Sequence, residues 1–241
     1  MKKILLALLL IGLVPLMLWL LRGHGQRRAD LDERLAAGGS EAGHGRQWTR
    51  GEVVRDPRFY LLLPAVLAAP LVVTALFFHQ VHLAEAKGWP LSWLAASFSA
   101  FAATHIAGLL VIGAWVDRLG ARRLLPVFLI PMAGGLLTVA GLDQPWAAPL
   151  YLGLMGLTMG ATGTLLGALW PELYGVAHLG AIRAVVQAAM VLSTAVSPAA
   201  AGWLLDAGIA MGTIAGGLVG YLALATALAL LACRIGARHR Q

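Results

Sequence analysis

The chain has 241 residues, of which 59% are hydrophobic and only 12% are charged, and its mean hydropathy is +0.79. Soluble domains carry about 25% charged residues, so this composition excludes an ordinary soluble domain and predicts a membrane protein. The net charge of +7 does not indicate nucleic-acid binding, because the Lys and Arg residues form short tracts between apolar runs rather than one basic face.

Apolar runs long enough to cross a bilayer occur along the whole chain. A hydrocarbon core about 30 Å thick requires about 20 apolar residues in a helix. Seven such runs cover residues 4–21, 59–83, 92–116, 124–141, 148–170, 183–205 and 212–233. The predicted fold class is therefore an all-α polytopic membrane protein with seven transmembrane helices, of which the short fourth one extends through Pro126.

The spacing of these runs predicts four regions. Residues 1–21 form a lone transmembrane helix, and residues 58–233 form a six-helix transmembrane block. The segment 22–57 between them is rich in Gly, Arg and acidic residues and has no apolar period, which predicts a cytoplasmic linker with one short helix near 29–37. Residues 234–241 form a basic tail.

Arginine falls on alternate loops. By the positive-inside rule, the arginine-bearing side is cytoplasmic, which places the C-terminus inside and the first residue outside. The expected location is a bacterial-type inner membrane. Lys2 and Lys3 disagree, because they would lie outside, and the intervening loops otherwise carry only Lys87. The arginines that define the inner side are Arg22, Arg27, Arg28, Arg34, Arg46, Arg50, Arg55, Arg58, Arg118, Arg122, Arg123, Arg183, Arg234, Arg238 and Arg240.

The second and third apolar runs contain histidines at two different depths of the membrane. His79 and His82 lie one turn apart, but a zinc site needs three or four ligands and no third one is local, so we interpret them as residues of the outer mouth. No metal and no cofactor are predicted. His105, beside Thr104, falls near the middle of the third run, where an ionisable group faces the bundle interior or a wet cavity. It is a candidate substrate or proton group, or else a neutral packing histidine.

The stretch "GAWVDRLGARR" (113–123) places four charges between two apolar runs. Gly113 permits a close backbone approach, and Asp117 lies at the end of the third helix. The turn at Gly120 leads into the fourth span, whose free N–H groups favour a carboxylate such as Asp117. We expect these residues, with Arg118, Arg122 and Arg123 at the anionic inner leaflet, to join two helices as a clasp.

Small and polar residues mark the fifth and sixth runs. Five glycines at spacings of 3 and 4 lie on one helix face, for packing or for sliding: Gly153, Gly156, Gly160, Gly163 and Gly167. Hydroxyl and amide side chains there predict a polar cavity, although each hydroxyl could instead bond the helix carbonyl one turn earlier. The predicted substrate-binding residues are His105, Thr104, Thr158, Thr162, Gln187 and Thr194.

Three stretches resemble the major facilitator superfamily of secondary transporters. "GAWVDRLGARR" is similar to that family's loop motif between the eighth and ninth helices, while "WPELYGVAHLGAIR" (170–183) and "SPAAAGWLLD" (197–206) are similar to its second half. The resemblance implies that residues 58–233 correspond to helices seven to twelve, 22–57 to the central loop and 4–21 to helix six. It implies transport of a small solute by alternating access, with gating residues Gly113, Asp117, Arg118, Gly120, Arg122, Arg123 and Glu172.

Only one stretch of the sequence indicates a substrate class. "FFHQVHLAEAKGW" (77–89) resembles members that carry monocarboxylates, which implies a small organic anion. The chain has no Gly-rich phosphate loop with its Lys and no G-x-S-x-G stretch, so we expect no ATP-driven pump and no enzyme of that hydrolase type.

The family's twelve helices form two halves with the substrate between them, and helices one to five have no counterpart here. We therefore expect a homodimer, a separate N-terminal half or a truncated reading frame, and Lys2 and Lys3 favour the last. The alternative functions are a non-transporting remnant or membrane interaction module, and a histidine-based membrane metalloenzyme. The metalloenzyme is less favoured, because only His79 and His82 share a local face.

Overall fold

The structure is a computed structural model, and it describes residues 46–238. The predicted lone helix at 4–21 and the predicted short helix near 29–37 lie outside this range. The described residues contain no strand, which confirms the all-α class for this part of the chain. Their helices are α1 (Arg50–Arg55), α2 (Pro57–Phe78), α3 (Gln80–Lys87), α4 (Leu91–Leu119), α5 (Ala121–Leu124), α6 (Ile130–Gly141), α7 (Ala147–Tyr174), α8 (Leu179–Asp206) and α9 (Met211–Arg238).

Five of these helices are long and apolar enough to cross a membrane: α2, α4, α7, α8 and the part of α9 from Met211 to Ile235. They match five of the six spans predicted for residues 58–233. Several apolar helices of this length are the signature of a multi-pass membrane protein.

The predicted span 124–141 is not one continuous helix. Helix α5 ends at Leu124, hydrogen-bonded turns follow, and α6 begins only at Ile130. Pro126 and Pro131 have no N–H group, so each removes a hydrogen bond of a regular helix. The number of seven spans is therefore not established by the described residues.

A threonine from another helix completes this interruption. The Thr158 hydroxyl of α7 accepts a hydrogen bond from the Met132 backbone N–H at 3.1 Å and donates one to the Phe128 carbonyl at 3.3 Å. In a regular helix those two backbone groups would bond each other. A side chain inserted in this way is an established cause of a helix break, and Thr158 is fully buried there.

Helix α7 is central to the bundle. It packs along α4 on one side and against α6 on another, while α2 packs against α8 and α9. The contact with α4 is close because of glycine: a Cβ atom added at Gly156 would overlap the Phe101 carbonyl, and one at Gly160 would overlap the His105 carbonyl. A Cβ at Gly108 of α4 would likewise overlap the Leu157 carbonyl. The predicted small-residue face thus packs two backbones together.

The face does not run the full length of α7. A Cβ at Gly163 would meet nothing within 4 Å, and one at Gly167 would lie 3.5 Å from the Arg183 guanidinium of α8. Because the glycine spacing averages slightly less than the 3.6 residues of a helical turn, the row drifts around the helix and leaves α4.

Hydrogen bonds at each end of the bundle identify which termini lie together. The arginine-rich end comprises the start of α2, the end of α4, α5, the end of α7 and the start of α8. It is joined by a bond from the Tyr174 hydroxyl to Asp56 (3.2 Å) and by Glu172, described below. At the opposite end, Lys87 forms an ion pair of 2.6 Å with Asp143.

We expect Gly160→Ala to destabilise the protein by about 1–3 kcal/mol, since the added methyl group pushes α4 from α7. Gly163→Ala is the matched control, because its methyl group enters open space and alanine has the higher helix propensity. Reversible unfolding in mixed micelles would measure both variants. Equal effects of the two substitutions would contradict the close contact.

We expect Thr158→Val to cost about 1–3 kcal/mol in the same unfolding assay, because it leaves the Met132 N–H and Phe128 carbonyl without their partner. Thr162→Val is the control: the Thr162 hydroxyl only donates to the Thr158 carbonyl one turn earlier, at 2.8 Å. A control variant as unstable as Thr158→Val would contradict the bridging role.

Candidate functional site

The turn at Gly120 is fixed by Glu172, which lies near the end of α7. The Glu172 carboxylate accepts hydrogen bonds from the backbone N–H groups of Ala121 at 2.9 Å and Arg122 at 3.3 Å. Gly120 has φ +80°, a left-handed value that favours glycine. Glu172 thereby satisfies the free N–H groups at the start of α5.

This arrangement corrects one expectation. The sequence pointed to Asp117 as the carboxylate for those N–H groups, but Asp117 is exposed and its carboxylate forms no hydrogen bond or ion pair with another described residue. Asp117 precedes the turn on the last helical turn of α4, whereas Glu172 comes from a helix end that meets the turn directly. The predicted gating roles of Asp117, Arg118 and Arg123, all exposed, stay predictions. Gly113 sits loosely, 3.9 Å from the Thr164 methyl if a Cβ is added.

The described part of the predicted linker is folded. Helix α1 begins with a capping box, in which the Glu52 backbone N–H donates to the Thr49 hydroxyl and the Glu52 carboxylate accepts from the Thr49 N–H at 2.8 Å. That backbone bond, together with bonds from the Arg46 and Thr49 side chains, lowers the pKa of Glu52 to about 2. The pattern T-x-x-E at 49–52 is the sequence signal for this helix start.

The residues before α1 bind the loop between α7 and α8. The Trp48 N–H donates to the Tyr174 carbonyl at 3.0 Å. The Gln47 side-chain oxygen accepts from the N–H groups of Val176 at 2.9 Å and Ala177 at 3.1 Å. Three backbone groups of a connecting segment are thereby satisfied by the chain that precedes α2.

The two predicted residues of α4 lie in the contact with α7 rather than at a cavity. The Thr104 hydroxyl donates to the Ala100 carbonyl at 2.8 Å. A Cβ atom added at Gly156 of α7 would overlap this hydroxyl. His105 is half-buried with its ring 5.8 Å from that of Phe101. Its Nδ1 atom is buried and has no hydrogen-bond partner among the described residues, so His105 combines a packing position with an unmet polar atom.

Other predicted residues are separated. Thr158 is occupied by the backbone of the fourth span, as described above. Thr194 of α8 is half-buried and donates to the Val191 carbonyl at 2.8 Å. His79 is bonded through Nδ1 to the Ala75 carbonyl at 2.8 Å, and His82 is exposed. Among residues 46–238, no three His, Cys, Asp or Glu side chains are grouped as metal ligands would be.

Thr162 and Gln187 do come together, in a cleft between α7 and α8. The cleft has a volume of about 490 Å³ and is open on one side. We call it the α7–α8 cleft. Its lining is Thr162, Gly163, Leu166, Gly167 and Trp170 from α7, and Arg183, Ala184, Val186, Gln187 and Met190 from α8.

The residue that the sequence analysis missed is Arg183. Its guanidinium Nη2 donates to the Gly167 carbonyl at 2.6 Å, so the side chain lies along the cleft rather than in the loop. In the sequence, Arg183 indicates only which side of the membrane is cytoplasmic. The signal that could have identified it is its position four residues before Gln187, which places both side chains on one helix face.

No protein-family model matches this chain, and no curated protein matches it. The resemblance to major facilitator transporters therefore rests on the three quoted stretches alone and stays a prediction.

We expect Glu172→Ala to speed hydrogen exchange of the Ala121 and Arg122 amides about tenfold, because hydrogen bonds to a charged acceptor are lost. Glu172→Gln, which keeps an acceptor oxygen, should have a smaller effect. Asp117→Asn is the matched control and should leave both amides unchanged. Faster exchange in the control, without a change in Glu172→Ala, would restore Asp117 as the partner of this turn.

Proposed function

We propose that this chain is one half of a secondary transporter of the major facilitator type, which moves a small solute by alternating access across a bacterial-type inner membrane. The observation that carries the proposal is the α7–α8 cleft, where Arg183, Gln187 and Thr162 meet between two membrane-length helices. Polar groups such as Thr162 and Gln187 within membrane helices are costly and commonly mark solute pathways, while the exposed Arg183 lies one turn inside the start of α8, at the edge of the cleft. A mostly apolar cleft with a few convergent polar groups is also the usual form of a small-molecule site.

Two helices with large open sides support the proposal that the chain is half of a transporter. Helix α4 packs mainly against α7, and α8 packs mainly against α2, so the remaining sides of both are open. These sides are apolar, since 69% of Leu110 and 75% of Trp203 are exposed, so in a bilayer either lipid or another helical bundle covers them. A second six-helix bundle would cover them and close the cleft, in the way that the two halves of such transporters enclose a midplane site. We propose a second copy of this chain as that bundle, a separate N-terminal half being the alternative.

The residues divide into three roles under this proposal. Gln187 and Thr162 border the cleft and contact the solute, Thr162 as an acceptor because its hydroxyl proton is donated to the Thr158 carbonyl. Thr194, His105 and Thr104 lie outside the lining of the cleft and receive no solute contact. Thr158 is omitted, because both of its hydrogen bonds go to the backbone. Glu172 and Gly120 hold the turn before the fourth span, while Asp117, Arg118, Arg122, Arg123 and Gly113 face the other half at the cytoplasmic side.

The open apolar sides of α4 and α8 also favour the second candidate, a membrane interaction module that transports nothing. Such a module would need the same exposed surfaces but not the polar cleft. The two functions therefore differ in whether the cleft is used.

We expect the purified full chain, reconstituted in liposomes, to take up small organic solutes from a labelled panel with saturable kinetics. Gln187→Leu should lower the initial rate at least about tenfold if its amide binds the solute. Thr213→Val, an exposed residue outside the cleft, is the control and should transport normally. Liposomes whose folded chain shows no uptake above protein-free vesicles would contradict transport and favour the interaction module.

A further inference from the structure

We propose that residues 46–49, which we call the strap, act as a latch that holds the start of α8. While the strap binds the segment between α7 and α8, the arginine-rich end of the α7–α8 cleft stays narrow, and release of the strap lets the start of α8 move away from α7. This inference goes beyond the proposed function, because it concerns how a helix is held and involves no solute.

The strap binds backbone groups between the end of α7 and the start of α8. The Trp48 N–H donates to the carbonyl of Tyr174, the last residue of α7, at 3.0 Å. The Gln47 Oε1 atom accepts from the N–H groups of Val176 and Ala177, at 2.9 and 3.1 Å, in the turn that leads into α8. Backbone groups at helix ends lack partners within the helix, so the strap fixes how α7 leads into α8.

The segment under the strap contains a glycine hinge. Gly175 has φ +83° and an extended ψ, a combination that residues with a side chain rarely adopt. A Cβ atom added at Gly175 would overlap the Gln47 Oε1 atom, so the Gln47 side chain fills the space that a side chain at 175 would take. The residue with the greatest backbone freedom in this segment is therefore the one that the strap covers.

Contacts on its own side hold the strap in the shape that binds. The Trp48 ring lies edge-on to the Tyr174 ring with 5.5 Å between centroids, and the Arg46 guanidinium lies 4.5 Å from the Trp48 ring centroid. Arg46 also forms an ion pair of 2.7 Å with Glu52, whose carboxylate belongs to the capping box of α1. Arg46 and Gln47 are exposed to solvent, and bonds between exposed groups open at little cost. The strap is therefore preformed but readily released.

Helix α8 is the helix that release of the strap would free. It packs mainly against α2 and touches α7 and α9 little. A hydrogen bond from Arg183 to the Gly167 carbonyl, at 2.6 Å, joins α7 and α8, and the cleft of about 490 Å³ lies beside it. Release therefore widens the cleft at its arginine-rich end, while the contact with α2 keeps α8 in the bundle.

The test measures, in detergent micelles, how fast a cysteine in the cleft reacts with 2-sulfonatoethyl methanethiosulfonate, a reagent that is confined to water. The full chain carries Cys233→Ser, which removes its one cysteine, and Val186→Cys, at a cleft residue that is 3% exposed. We expect Gln47→Ala to speed this reaction about tenfold, because two hydrogen bonds to the turn are lost. Gln47→Glu keeps an acceptor oxygen and should leave the rate near that of the parent.

Two controls separate release of the strap from a general loss of structure. Arg50→Ala changes an exposed residue of α1 and should not alter the rate. Ala225→Cys replaces Val186→Cys as the reporter at a fully buried position of α9. Its reaction rate should be the same with and without Gln47→Ala, because the strap does not reach α9.

Gly175→Ala tests the same contact from the other side. Its methyl group would overlap the Gln47 side chain and displace it, so the reaction of Val186→Cys should again be faster. Gly51→Ala, whose methyl group enters open space on α1, is the matched control. Because two different substitutions break one contact, failure of one variant to fold leaves the other to decide.

Two results would overturn the inference. One is an unchanged reaction of Val186→Cys in both Gln47→Ala and Gly175→Ala. The other is an equal increase at Ala225→Cys, which would mean that the whole bundle had loosened. The reaction involves no solute and no uptake, so an increase confined to Val186→Cys would support the latch whether or not liposomes containing the chain show transport.

Discussion

The backbone contact between α4 and α7 is the constraint on which the other features of this bundle depend. Apolar helices gain little from the hydrophobic effect when lipid is the solvent, so their association relies on close packing. Gly156 and Gly160 supply it by admitting the carbonyls of Phe101 and His105. Because one face of α7 packs against α4, the orientation of its other faces is fixed. Thr158 then lies at the break before α6, and Gly163 and Gly167 border α8. Glu172 lies at the Gly120 turn.

The sequence predicted the parts of this fold that depend on local composition. Length and apolarity identified the five membrane-length helices, and spacing identified the glycine face, because both properties are periodic along one helix. The broken fourth span was not predictable in the same way. Its prolines were visible, but the hydroxyl that bonds Met132 and Phe128 comes from Thr158, which follows them by 26 and 30 residues. Similarly, sequence proximity suggested Asp117 for the Gly120 turn, while tertiary packing brought Glu172 from another helix.

The candidate site shows why the type of a residue does not by itself identify its role. Thr104, Thr158 and Thr162 are all buried or half-buried threonines on adjacent helices, yet one lies in a helix contact, one bridges a helix break and one borders the cleft. Which face a hydroxyl occupies depends on how the helices rotate against each other, and a single sequence contains that information only through the glycine row. Arg183 shows the opposite case. Its place in the sequence indicated only the membrane topology, but in the structure it borders the cleft.

The bonds at the two ends of the bundle bear on where movement can occur. At the end of the bundle opposite the arginine-rich one, the loop at 143–145 accepts hydrogen bonds from the Trp89 and Trp93 indoles, both at 2.7 Å. Asp143 also forms an ion pair with Lys87 there. At the arginine-rich end, Gln47 and Trp48 hold the segment 174–177. Helices tied at both ends and packed backbone to backbone between them resist internal rearrangement. Any large movement is therefore expected where helices touch least, as α8 does with α7 and with α9, or at the open sides of α4 and α8.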